Sequence, residues 1–140
     1  MPSLKTYDLF ISHAWKYNSE YYKLEGMLND ASNFEWRNYS VPKHDPVLDP
    51  DDPTDRKTLL KELDEQIRPV NCVLILAGMY VSYSFWIQKE IEIAQTYGKP
   101  IIGIKPWGSE RVPSAVTEAA DEIVGWNTDS IVSAIRRQSI

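Results

Sequence analysis

Apolar positions along the chain recur with two alternating periods. YDLFIS at 7–12 is a short aromatic and aliphatic run that predicts a first strand. Residues 18–32 switch to helical spacing through Tyr21, Leu24, Met27 and Leu28, with Asn18 or Ser19 placed to cap the first turn. FEWRNYSV at 34–41 alternates like a half-exposed strand, and the proline- and aspartate-rich stretch 42–53 predicts a long loop. A second helix is expected over 54–67, with Leu59, Leu60, Leu63 and Ile67 on one face and Arg68-Pro69 as its stop.

VNCVLILAG at 70–78 is the strongest strand in the sequence, an apolar run that suits a central parallel strand covered on both faces. A third helix follows and stops at Gly98-Lys99-Pro100, with glycine just past its last turn. PIIGIKP at 100–106 and DEIVGW at 121–126 predict two further strands, and 128–138 a last helix. Five strands alternating with helices imply a single domain over 1–140, a three-layer α/β sandwich with a five-stranded parallel sheet in flavodoxin-like order. Ligands of such sheets sit beyond the carboxyl ends of the strands. Ser12-His13-Ala14-Trp15, the aspartate-rich loop and the start of the third helix all arrive there.

The third helix carries an anomaly. At about 100° per residue, Trp86, Ile87, Ile91, Ile93, Ala94 and Tyr97 share one apolar arc, and Glu90 falls within it. Glu92, Lys89, Gln88 and Gln95 lie on the polar side. A carboxylate aimed at a core is either a structural group bonded to backbone amides or an arginine, or a functional one.

Composition narrows the classes. A chain of 140 residues with 43% hydrophobic and 25% charged residues has the balance of a soluble globular domain. A net charge of −5 without a basic block argues against binding nucleic acid or an anionic membrane. No apolar run nears the roughly 20 residues of a membrane span, and MPSLKTYDLF lacks a signal-peptide core, so a cytoplasmic location is expected. The single cysteine, Cys72, sits inside an apolar run and reads as a buried core residue.

Known chemistries can then be excluded by residue. A phosphoacceptor receiver needs acids after the first strand and at the end of the third; here Ser12-His13 and Ala77-Gly78 occupy those places, although Lys105-Pro106 imitates the receiver's Lys-Pro pair. SHAWKYNSE is a poor phosphate loop for a flavodoxin. Neither GxGxxG nor GxxxxGK[ST] occurs, and His13 and His44 stand too far apart in sequence to suggest a metal site. A nuclease is poorly supported, because no second acidic cluster completes the acidic loop.

YDLFISHA, the acidic loop after the second strand, and Ser82-Tyr83-Ser84 before Trp86-x-x-x-Glu90 resemble a TIR domain. YDLFISHAW, SVPKHDPV and the chain length are most similar to the TIR-like domain of the Thoeris ThsB family of bacterial anti-phage defence. That resemblance implies an enzyme that splits NAD⁺ at the nicotinamide–ribose bond, with NAD⁺ as substrate and no permanently bound cofactor or metal. It implies Glu90 as the catalytic residue. It also implies a nucleotide lying against Ser12, His13, Ala14 and Trp15, against Ser82, Tyr83, Ser84 and Trp86, and, with a weaker alignment, against Asp45 and Lys43. The implied partners are other copies of the chain through TIR–TIR contacts, a separate effector activated by the nucleotide product, and a phage component as trigger.

Plainer roles stand beside these. Trp86 serves equally as core packing, Ser82 and Ser84 as helix caps, and His13 as a partner of backbone. Asp45, Asp49, Asp51 and Asp52 fit a solvated loop. Tyr83 and Trp15 fit stacking on a base or contact with protein. The rival function is a non-catalytic TIR-type interaction module. The product, whether from hydrolysis, cyclisation or transfer, is open at this level.

Overall fold

The computed structural model describes residues 5–12, 19–40, 52–77, 80–105 and 112–140; at 19–20 and 80–84 it describes the backbone alone. The elements run β1 (Thr6–Ile11), α1 (Ser19–Asp30), β2 (Glu35–Asn38), α2 (Pro53–Ile67), β3 (Cys72–Leu76), α3 (Tyr80–Thr96), β4 (Ile101–Ile104), α4 (Ser114–Ala119), β5 (Glu122–Val124) and α5 (Thr128–Gln138). The five strands form one sheet in the order β2-β1-β3-β4-β5, with every neighbouring pair parallel. This is the flavodoxin-like order that the alternation of periods predicts.

The order reverses after β2, so right-handed crossovers place α1 on one face and α2, α3 and α4 on the other. Accordingly α1 packs with α5, and α2 with α3. Burial follows position in the sheet. All five residues of central β3 and all four of β4 are buried, whereas edge strand β2 alternates between exposed and half-buried residues. Leu9, Phe10 and Ile11 of β1 pair with Cys72, Val73 and Leu74. Leu24 and Leu28 of α1, Leu59, Leu63 and Ile67 of α2, and Ile131 and Ile135 of α5 complete the core from both sides.

Local signals explain the element ends. Asp52 belongs to α2 rather than to a solvated loop: its Oδ1 accepts the Thr54 and Asp55 N–H groups at 2.8 and 3.1 Å. Asn127 caps α5 in the same way, accepting the Ser130 N–H at 3.1 Å. Gly98 takes φ +65° as α3 ends, a left-handed conformation that glycine adopts without strain.

Three further sequence expectations change. The short helix α4 is not among the predicted elements, since six residues are too few to display a helical period. Helix α3 begins at Tyr80, so Ser82 and Ser84 lie within its opening turns and are not its caps. Tyr97 leaves the apolar arc: it is exposed at the end of α3, and its hydroxyl donates to Asp64 Oδ1 of α2 at 2.8 Å. No helix among the described residues is long and apolar enough to cross a membrane.

Candidate active site

The carboxyl edge of the sheet is built around the joint between β1 and β3, where the strand order reverses. Ser12, directly after β1, continues the ladder: its N–H donates to Leu74 O at 2.9 Å, and its Oγ accepts the Leu76 N–H at 2.8 Å. The side chain is fully buried. Ser12 therefore ties the ends of the two strands together.

Beside this joint stands α3. It leaves the carboxyl end of β3 and runs back to Thr96, just before β4, so its opening turns lie on the carboxyl side of the sheet and Glu90 stands about 9 Å along the axis from its far end. Glu90 is 1% exposed, and Ile87, Ile91 and Ala94 around it are equally closed to water. Among the described residues, the other buried polar side chains are Ser12, Ser40 and Gln66. Glu92, two positions on, is exposed and meets Lys89 Nζ at 3.2 Å. The two carboxylates thus separate by environment as the helical period requires.

Trp86, one turn before Glu90, is 4% exposed. Its indole meets the ring of Phe85 edge to face, centroids 5.1 Å apart at 90°. Above Phe85 lies the guanidinium of Arg56 from the first turn of α2, 4.2 Å from the ring centroid. Phe85 and Arg56 are absent from the sequence-based set. Their contact joins helices almost thirty positions apart, and no local spacing signals it.

A second polar group closes the carboxyl end of β2. Asn38 donates to the Tyr21 hydroxyl at 2.8 Å and to Glu25 Oε2 at 2.9 Å, and its Oδ1 accepts the Ser40 N–H at 2.9 Å and the Ser40 hydroxyl. Burial pushes the Tyr21 phenol above its ordinary 10.0. This network ties the end of β2 to α1.

The structure places Ser12 at the carboxyl end of β1 and Trp86 and Glu90, both buried, on α3. It places Ser82, Tyr83 and Ser84 by backbone in the opening turns of α3. His13, Ala14, Trp15, Lys43 and Asp45 lie outside the described residues. A separate groove of about 450 Å³ between β2 and α2, lined by Arg37, Tyr39, Glu62, Glu65, Gln66 and Pro69 among others, includes none of the predicted site residues.

Fold and edge together define a doubly wound α/β domain with a buried carboxyl side chain on the helix that follows its central strand. The chain belongs to the family described as Thoeris protein ThsB, TIR-like domain, which it matches over residues 10–111. Two solved structures share the fold. One is described as the 2-deoxyribosyltransferase of Bacillus psychrosaccharolyticus, at 15% identity and a TM-score of 0.57, covering 89% of each chain. The other is the CMP N-glycosidase BcmB of Clostridium botulinum, at 16% identity and a TM-score of 0.53, covering 93% of this chain and 98% of that one. No protein of curated function matches the sequence.

Proposed function

We propose that the chain is an NAD⁺-consuming TIR enzyme of anti-phage defence, and that Glu90 is its catalytic residue. One observation supports the reading: in a ThsB TIR-like domain, the motif glutamate is a buried side chain on the helix that leaves the carboxyl end of the central strand, the edge where α/β sheets bind ligands. The two fold relatives, an N-glycosidase and a deoxyribosyltransferase by description, support a nucleoside-type N-glycosidic bond as the target.

The chemistry needs one carboxylate. Most glycosidases use two, because a neutral leaving oxygen must be protonated. In NAD⁺ the nicotinamide nitrogen is already cationic. When the C1′–N bond breaks, the electron pair stays on that nitrogen and neutral nicotinamide departs without a general acid. Positive charge then develops on the ribosyl centre, and Glu90, fixed in a water-poor wall, stabilises it electrostatically. An acceptor next adds to C1′ and loses its proton. Water gives ADP-ribose, an internal nucleophile a cyclic product, and another molecule a conjugate. A cyclic or conjugated signal would activate a separate effector, and TIR–TIR contacts between copies would complete the active form on phage infection.

The test is NAD⁺ turnover by the phage-activated chain. Glu90→Gln should lower the rate by about 10²-fold or more, and Glu92→Gln should change it by less than about twofold. Equal effects of the two substitutions would remove Glu90 from the mechanism. NAD⁺ left intact by the wild-type chain under activation would favour the non-catalytic interaction module.

A further inference from the structure

A groove of about 520 Å³ runs along the outer face of α1, in the layer opposite α3. Lys23, Met27 and Asp30 of α1 and Trp126 after β5 line it, with Gly26 between them. A Cβ built on Gly26 would meet nothing within 4 Å, so the groove is open there. Met27 and Trp126 are only partly buried against the core, and Tyr22 on the same stretch of helix is 55% exposed. Apolar surface gathered on the outer face of a helix whose inner face is already packed marks a contact with another molecule.

The charges of this groove sum to zero and define its occupant. Lys23 and Asp30 are its charged side chains; both are exposed, and neither has an ion-pair partner among the described residues. Seven residues make almost two full helical turns, so the two stand in line along α1, about 10 Å apart and too far to neutralise each other. A helix with a cation and an anion so spaced is complementary to itself when turned end for end. A two-fold axis between positions 26 and 27 sets Lys23 against the partner's Asp30, Asp30 against the partner's Lys23, and Met27 over the partner's Gly26. Glycine allows close approach at the crossing, and the adaptable Met27 side chain fills the space it leaves. A chain of net charge −5 repels its own copies in general, which makes a face of balanced charge the favourable place for them to meet.

We propose that α1 is the contact face of a two-fold dimer of this chain, crossing at Gly26 and held in register by reciprocal Lys23–Asp30 pairs. The proposal rests on the reading above only for the need of contact between copies, and mass tests it apart from turnover. Sedimentation equilibrium of the full chain gives the dissociation constant for wild type, Lys23→Glu, Asp30→Lys, the double reversal and Gly26→Gln. Thermal melting verifies that each variant is folded. Wild type should dimerise as concentration rises. Each single reversal sets like charges against each other twice per dimer and should weaken association by about tenfold or more. The double reversal restores opposite charges and should return the constant to near the wild-type value. An equimolar mixture of the two single variants should form the mixed dimer, because the two reversed charges then face each other and the two native ones do likewise. Gly26→Gln has room in the single chain but holds the helices apart, and should also weaken association by about tenfold.

A wild-type chain that stays monomeric at every concentration overturns the assignment. So do single reversals that leave the constant unchanged, and a double reversal that fails to restore it. Equal association in wild type and Gly26→Gln also overturns it, because the helices then do not meet at position 26. Failure of the NAD⁺ reading has its own signature: NAD⁺ left intact by a chain that dimerises through α1. NAD⁺ consumed by a strict monomer removes the contact and keeps the reaction.

Discussion

A thiol inside a strand buried on both faces has no water to stabilise its anion. Desolvation therefore pushes Cys72 up to about 12, leaving it protonated at any pH at which the protein works. Cys72 should fail to react with a thiol-specific disulfide reagent at pH 8 in the native chain. It should react fully once the chain is unfolded in denaturant, at a rate that follows unfolding. Fast native labelling would contradict its place in the core. Glu90 is the opposite case at the same scale, a charged group kept where apolar contacts surround it. Its sequence neighbour Glu92 shows that the helix had a solvent face to offer. The period of 3.6 residues made this contrast readable before any contact was known. The contact of Arg56 could not be found so, because the ring it meets is contributed by another helix.

At the scale of elements, the strands and long helices were legible because burial repeats along them. β3 has five consecutive buried residues, and α5 spans the predicted 128–138. Helix α4 was missed, yet it shapes the sheet beneath it. A Cβ on Gly103 of β4 would lie 3.1 Å from Val116 Cγ1 of α4 and 3.4 Å from Ile123 Cγ1 of β5. Val116 is wholly buried and has little room to retreat. Gly103→Ala should thus destabilise the fold by about 1–3 kcal/mol, measured by chemical denaturation. An unchanged midpoint would mean that α4 can slide off β4 without loss. The glycine is visible in PIIGIKP, but the helix that requires it is not.

For the molecule as a whole, the far edge of the sheet is secured electrostatically. Glu122 of β5 accepts from Arg137 and Gln138 of α5, and these bonds, Arg137 first, hold its carboxyl below the ordinary 4.5. A carboxyl that binds its proton less tightly when folded adds stability that is complete above about pH 4.5 and is lost as pH falls through the folded value. Glu122→Gln should therefore lower stability at pH 7 by at most about 1 kcal/mol, as for an exposed ion pair, and the difference should shrink as pH falls below about 4.5. A difference that does not shrink with falling pH would assign the effect to packing instead. The pair links residues fifteen positions apart on different elements, and only the β5–α5 return brings them together.

The sequence by itself determined the alternation of strands and helices, the parallel α/β class, the burial of Cys72 and the anomaly of Glu90. Each is written in a period of two or 3.6 residues, and such periods are local properties of the chain. Tertiary structure decided what a period cannot encode. Ser12 fastens β1 to β3 through the Leu76 N–H, Asp52 turns from loop acid to helix cap, and Arg56 of α2 reaches the Phe85 ring of α3. These contacts depend on which segments the crossovers lay side by side. That arrangement is set by the packing of the whole core rather than by the spacing of any one stretch.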